Sequence, residues 1–366
     1  MKFEVGRNEL LTALQAVIGV VERRQTLPVL SNFLLEAKGQ ELVVTGTDLE
    51  LELVSRAVVK TATPGKVTVP ARKLFDICRG LPEGADITLD GAGDKVTVKS
   101  GRSRFTLAAL KADEFPAMGA LSGGKVLKLA RKDLRALIER TQFAMAHQDV
   151  RYYLNGLLVH AGPKRVRAVA TDGHRLAMSE LAADTKLKDD LQVIVPRKAV
   201  LELQRLLDGS EEPVELRITE TQLQADLDVI RLTSKLIDGR FPDYERVIPE
   251  ATDKQVVAQR ERVRQALART AILSNEKFRG VRLQVAENKL RLTTHNPEHE
   301  EAEEELEVNY TGPSLEIGFN VNYLLDALGV MQGETFTMDL KGPDASGLVQ
   351  ESGAGHSKYV VMPMRL

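Results

Sequence analysis

The chain has 366 residues and a formal net charge of −2, with 43% hydrophobic, 28% charged and 4% aromatic residues and no tryptophan. That length is too great for one core and predicts two or three domains with mainly aliphatic interiors. The near-neutral balance excludes global attraction to nucleic acid or an anionic membrane, so any basic surface must be local.

In chain order, "NELLTALQAVIGVV" sets Leu14, Val17, Ile18 and Val21 at helical spacing and predicts an amphipathic helix. The strand-like "ELVVTGTDLELEL" follows, with Asp48 at a turn. "VPARKLFDICRGLPEG" predicts a second helix, with Arg72 and Lys73 at its start and a glycine as its stop. Cys78, the only cysteine, lies on its apolar stripe and is read as packing; it excludes an intrachain disulfide and argues for a reducing compartment. Two strands, "ADITLDG" and "KVTVKSG", come next. "SGRSRFTLAAL" then reads as an edge strand with Phe105 and Leu107 on one face and Arg102 and Arg104 on the other.

The same order then recurs twice. "RKDLRALIERTQFA", "RVRAVATD" and "VPRKAVLELQRLLDG" form a second set; "RERVRQALARTAIL", "NKLRLTTHNPEHEE" and "NVNYLLDALGVMQG" form a third. Asp48, Asp172 and Asn296 stand 124 residues apart, close to a third of the chain. A period of that size predicts three copies of one unit.

The repeat bears on "VATDGHRLAM", where Asp172, His174 and Arg175 offer the groups of a hydrolase or nuclease. The matching turns continue Leu-Glu and Pro-Glu, so the acid belongs to architecture used three times. No P-loop, Cys/His zinc spacing, HExxH or GxSxG occurs, and neither a cofactor nor a metal is expected. Arg131, Lys132, Arg135, Arg260, Arg264 and Arg269 lie off the apolar stripes of their helices, where they suit sequence-blind phosphate contact. Acid gathers in "EHEEAEEELE", Glu298 to Glu307, with seven glutamates in ten residues. The start "MKFEVGRNEL" has no apolar signal core and nothing approaches 18 apolar residues, so a cytoplasmic protein is expected.

Across its whole length the sequence resembles the bacterial DNA polymerase III beta subunit family, the replicative sliding clamps. The resemblance is carried by "TLPVLSN", "TGTDLE", "VPARKLFDICRGLPEGA", "SGRSRF", "MAHQDVRYYLNG", "ATDGHRLA", "DGRFPDY", "AILSNEKFRGVRL" and "YVVMPMRL". It implies an α+β chain of three similar domains, 1–121, 122–251 and 252–366, each with two helices backed by antiparallel β-sheet. Two chains would join head to tail into a closed ring around double-stranded DNA, bound without regard to sequence. No catalysis is implied. The implied partners are a second copy, the DNA polymerase III alpha subunit, the clamp-loader delta subunit, and other DNA polymerases and repair proteins that carry short linear motifs.

The resemblance also implies residue roles. Arg24, Arg72, Gln148, Tyr152 and Tyr153 map to DNA contacts, although one of two adjacent tyrosines commonly points into a core. Leu154, Thr171, Gly173, His174, Arg175, Leu176, Pro242, Arg246 and Val247 map to a peptide pocket, joined by Val360, Met362, Pro363, Met364, Arg365 and Leu366. The stretch from Lys341 to Leu348 is polar for a pocket wall, and only Ser346 is assigned there. Arg102, Arg104, Phe105 and Leu107 map to a dimer interface facing Ile272, Leu273, Glu298, Glu300, Glu301, Glu303 and Glu304.

Overall fold

The computed structural model describes residues 1–366 except 23–26, 120, 251, 253, 354, 355 and 366. Each predicted amphipathic segment is a helix: α1 (Arg7–Val17), α2 (Ala71–Gly80), α3 (Arg131–Glu139), α4 (Arg197–Leu206), α5 (Arg260–Thr270) and α6 (Val321–Val330). The first helix of each set is followed by a 3₁₀ turn, at Ile18–Val20, Gln142–Ala144 and Ala271–Leu273. The apolar stripes are buried as their spacing requires: Leu14 and Val17, then Leu134, Leu137 and Ile138, then Val263, Ala266 and Leu267. Thr270 shares the third stripe because its hydroxyl donates back to the Ala266 carbonyl at 3.1 Å.

The chain forms two compact units. In the first, Met1–Lys132 with Leu201–Leu236, an eight-stranded sheet runs between the edges Lys125–Ala130 and Gly65–Pro70. A five-stranded sheet runs from Lys60–Thr63 to Ser103–Ala108. In the second, Asp133–Val200 with Ile237–Leu366, an eight-stranded sheet runs between Leu191–Pro196 and Gln255–Gln259. A four-stranded sheet runs from Glu301–Glu307 to Leu315–Asn320. Within the eight-stranded sheet of this second unit, Arg175–Ala182 pairs antiparallel with Ser357–Val361, Leu176 opposite Val360. That register carries the C-terminal strand to the turn at Asp172.

The helix stops differ from expectation. Gly84, Gly209 and Gly333 all lie past their helix ends, and α2 and α6 are capped by extended Leu81 and Met331. Arginines take over the cap. Arg7, the first residue of α1, donates from Nε to the Cys78 carbonyl at 3.1 Å and from Nη2 to that of Arg79 at 3.0 Å, at the end of α2. Arg260, first in α5, donates to Leu328 at 3.1 Å and Gly333 at 2.8 Å at the end of α6. The last carbonyls of a helix have no partner inside it and carry negative dipole charge, so a guanidinium satisfies both needs. Arg131, first in α3, is 8% exposed and pairs with Asp208 at 3.2 Å and Asp228 at 2.5 Å. The amides of Arg7, Arg131 and Arg260 donate to Ala85, Glu212 and Glu334, each immediately before the strand that follows the set's second helix. Arg131 and Arg260, expected as phosphate contacts, are therefore structural locks.

Cys78 is fully buried and burial pushes its thiol up to about 12. Only the thiolate reacts, so at pH 8 the native protein is expected to react with a maleimide roughly 10³-fold more slowly than the unfolded chain. Stopped-flow labelling with and without denaturant measures that ratio.

Candidate functional site

The Asp172 turn is built twice with the same bonds. In the first copy the Thr47 hydroxyl donates to Leu51 O at 2.9 Å and accepts from the Leu49 amide, while Asp48 Oδ1 accepts from the Glu50 and Leu51 amides. In the second, Thr171 donates to Arg175 O at 2.6 Å and accepts from Gly173, and Asp172 Oδ1 accepts from His174 at 2.9 Å and Arg175 at 3.0 Å. Both turns need one left-handed residue, Leu49 at φ 78° and Gly173 at φ 89°. The third copy puts Pro297 after its Asn. Proline fixes φ near −65°, so the turn is one residue longer and His299 takes the positive φ, 65°. Asp172 Oδ2 accepts from Arg175 Nε at 3.1 Å. Both carboxylate oxygens are thus committed to the turn.

Around this turn the second unit gathers most of the expected pocket. Leu176 and Val360 join Leu158, Met178, Ile194, Phe241 and Tyr244 in one buried cluster. Val247 is 37% exposed and Met362 40%, and Pro242, His174, Arg246 and Arg365 also reach the surface. Thr171, Gly173, Ser346, Pro363 and Met364 are half-buried. The Met362 amide donates to His174 O at 2.9 Å, tying tail to turn. Two expectations need correction. Leu154, Leu176 and Val360 are buried, so they form a floor and not a wall. Arg175 is not a free peptide clamp: it pairs with Asp326 at 2.5 Å, donates to Phe143 O at 2.8 Å, and lies over the rings of Tyr323 and Phe143 at 4.5 and 5.2 Å. Arg246 does reach solvent, paired with Asp243 at 2.9 Å.

Sequence reasoning missed what holds the Phe241–Val247 wall. Tyr244 Oη meets His160 Nδ1 at 2.8 Å and accepts from Arg167 Nη1 at 3.0 Å. Arg167 also pairs with Glu180 and Glu245. A polar side chain buried this deeply needs such partners, and only spatial neighbours, far apart in sequence, supply them.

The loop before Leu154 carries the expected DNA contacts. Gln148 is exposed at φ 56°. Tyr152 is 57% exposed, whereas Tyr153 packs on the buried cluster, so one ring of the pair faces out and the other in. Arg151 joins this loop to the pocket turn: it grips Asp149 at 2.8 Å and donates to Asp172 O at 3.0 Å. That guanidinium holds the Asp149 carboxyl down at about 2. Arg72 is exposed, with one nitrogen donating to Val21 O at 2.9 Å. Arg24 and Leu366 lie outside the described residues.

The expected interface strands are both sheet edges. On Ser103–Ala108, Leu107 is buried, Phe105 half-buried and Arg104 exposed, and Arg102 is exposed in the turn before the strand, not on it. On Glu301–Glu307 and the turn before it, Glu298, Glu300, Glu301 and Glu303 are exposed, and Glu304 is half-buried. Ile272 is 76% exposed and Leu273 half-buried. Glu304 is bound by Arg269 through two hydrogen bonds, so part of the acidic edge is neutralised within the chain.

Three family models tile the chain: the N-terminal, central and C-terminal domains of the DNA polymerase III beta subunit match residues 1–119, 128–243 and 245–365. This chain belongs to that family. The beta sliding clamp of Pseudomonas putida is 54% identical and that of Escherichia coli K12 50%, each over the whole of both chains. The crystal structure of the DNA polymerase III subunit beta from Pseudomonas aeruginosa superposes with a TM-score of 0.97 at 53% identity over 100% of both chains. The beta clamp of Caulobacter crescentus does so at 0.96 and 40% identity, covering 100% of this chain and 99% of the other. The fold is accordingly three similar α+β domains, each with two helices on antiparallel sheet.

Several of the helix cations expected to face phosphate are paired within the chain. Besides the locked Arg131 and Arg260, Lys132 pairs with Glu211, Arg135 with Glu139 at 2.6 Å, and Arg264 with Glu261 at 2.8 Å. Lys73 and Arg262 are exposed with no ion pair among the described residues. Positive charge on the helices is thus sparser than a count of arginines suggests.

Proposed function

We infer that this chain is a sliding clamp: a non-catalytic subunit that closes around duplex DNA as a head-to-tail homodimer and tethers the replicative polymerase. The full-length identity to beta sliding clamps carries the reading. Three domains, 1–121, 122–251 and 252–366, supply three copies of the unit per chain and six per ring. Retention by closure explains how a protein with net charge −2 and few free helix cations serves on DNA. Phosphate contacts alone fail with salt, losing roughly 10³–10⁵ in affinity between 50 and 200 mM for 6–10 contacts; a closed ring escapes only by opening or at a DNA end.

DNA contact falls to Arg24, Arg72, Gln148 and Tyr152, with exposed Tyr152 offering a stacking face, while Tyr153, expected beside it, packs inward and supports the loop. Partner motifs seat against Pro242, Val247 and Met362 over the Leu154, Leu176 and Val360 floor, with His174, Arg246 and Arg365 at the rim. Thr171, Gly173, Ser346, Pro363, Met364 and Leu366 complete the pocket, and Arg175 holds it in shape. The adaptable methionine walls suit several ligands: the alpha subunit of DNA polymerase III, the delta subunit of the clamp loader, other polymerases and repair factors. Ring closure sets the Phe105 and Leu107 edge with Arg102 and Arg104 against Ile272, Leu273, Glu298, Glu300, Glu301, Glu303 and Glu304 of the second copy. A role on chromosomal DNA supports a cytoplasmic location in a bacterial cell.

The test is topological. Loaded by a clamp loader onto a nicked circular duplex, the protein is expected to stay through gel filtration in high salt. It should be lost once the circle is cut at one site. Equal retention on circle and linear DNA would refute encirclement.

A further inference from the structure

Two junctions between neighbouring repeats lie inside the chain, and they are built alike. At the first, Glu202, the sixth residue of α4, pairs with Arg205 at 2.7 Å. Arg205 in turn donates to the Gln15 and Ala16 carbonyls, at 3.0 and 2.7 Å, in the last turn of α1. At the second, Asp326, the sixth residue of α6, pairs with Arg175 at 2.5 Å, and Arg175 donates to the Phe143 carbonyl in the 3₁₀ turn after α3. Each time an acid on one repeat's second helix reaches, through an arginine, a carbonyl where the neighbouring repeat's first helix ends. Such carbonyls lack helical partners and carry negative dipole charge, so a guanidinium suits them.

The first repeat carries the same pair on α2 with no such contact. Asp76 is the sixth residue of α2 and pairs with Arg79 at 3.0 Å, and Arg79 holds the place that Arg205 holds in α4. Their side chains are 61% and 66% exposed, against 15% for Glu202, and among the described residues the Arg79 guanidinium donates to no carbonyl. An ion pair this exposed adds little to its own chain. The matching acceptors stand at the end of α5. Placed from Arg260 as Gln15 and Ala16 are from Arg7, they are the carbonyls of Ala268 and Arg269, to which no described side chain donates.

Side-chain size follows the same alignment. Gly19, Phe143 and Ile272 are the middle residues of the three 3₁₀ turns. A Cβ on Gly19 would overlap the carboxylate of the long acid, Glu202. The bulky Phe143 is joined through Arg175 to a shorter acid, Asp326. Ile272, bulky and exposed, fits the shorter acid as well, and Asp76 is one.

We propose that Asp76 and Arg79 build the third junction with a second copy of this chain: Arg79 donates to the Ala268 and Arg269 carbonyls of that copy, and Ile272 of that copy seats over Asp76. The choice of occupant rests on the ring-closure reading above. The contact also sets polarity, since a guanidinium that fits a helix end does not fit a second α2.

Sedimentation equilibrium on the full chain tests this. Arg79→Ala is expected to weaken the dimer about a hundredfold, about tenfold at each of two interfaces, with the circular dichroism unchanged. Asp76→Glu is expected to weaken it about tenfold in the wild type but less than about threefold beside Ile272→Gly, where the longer acid meets a glycine as Glu202 does. An Arg79→Ala dimer as tight as the wild type, with Ile272→Asp monomeric, overturns the proposal and leaves the interface standing. An Asp76→Glu effect of equal size with Ile272 present or replaced by glycine overturns the seat over Asp76. If neither Arg79→Ala nor Ile272→Asp loosens the dimer, the interface reading fails and the proposal with it.

Discussion

Replacing Ile272 by aspartate is expected to turn the ring into folded monomers that no longer stay on circular DNA. Ile272 is 76% exposed in the single chain, so the change costs the monomer little. Against Phe105 and Leu107 of a second copy it strands a carboxylate in apolar surroundings, at about 3 kcal/mol. A head-to-tail dimer has two such interfaces, and both carry the substitution. The dimer dissociation constant should therefore rise by roughly 10⁴-fold, at 1.4 kcal/mol for each factor of ten. Sedimentation velocity reads the state, and the thermal midpoint should not move. A variant that remains dimeric would place the interface elsewhere.

What the sequence allowed to be read follows from the physics that writes it. Apolar period and Asx turns are local, so "NELLTALQAVIGVV" and "TGTDLE" disclosed helix, turn and repeat without any partner in view. Arg131 and Arg260 failed because pattern reports only that a cation lies off the stripe. Whether it faces water, a carboxylate as Arg131 does, or carbonyls at the end of another helix as Arg260 does depends on a contact roughly 70 to 100 residues away. The pocket divides the same way. Its exposed members, Pro242, Val247 and Met362, were named together with its floor, since resemblance transfers positions but not depth. Tyr244 inside "DGRFPDY" was legible as a motif; His160 and Arg167, which hold it, carry no local signature.

Asp172→Ala and Asp48→Ala should cost similar stability and differ completely in function. Each removes an acceptor of two backbone amides from a turn of the same design, at about 1–2 kcal/mol apiece. Only the second turn also orients Arg175 and presents His174 to the tail through the bond to Met362. Asp172→Ala is therefore expected to weaken binding of the polymerase alpha subunit by at least about tenfold, whereas Asp48→Ala leaves it unchanged. Asp172→Asn keeps the Oδ1 acceptor and should restore most of the stability. It should restore partner binding only in part, because the amide rebuilds the turn but its nitrogen cannot accept from Arg175 Nε as Oδ2 does. A nuclease built on Asp172 would behave in the opposite way: the amide would be as dead as alanine, and DNA cleavage by the wild type would be measurable in the first place. Calorimetry and surface plasmon resonance on the three variants decide between a carboxylate that shapes and one that reacts.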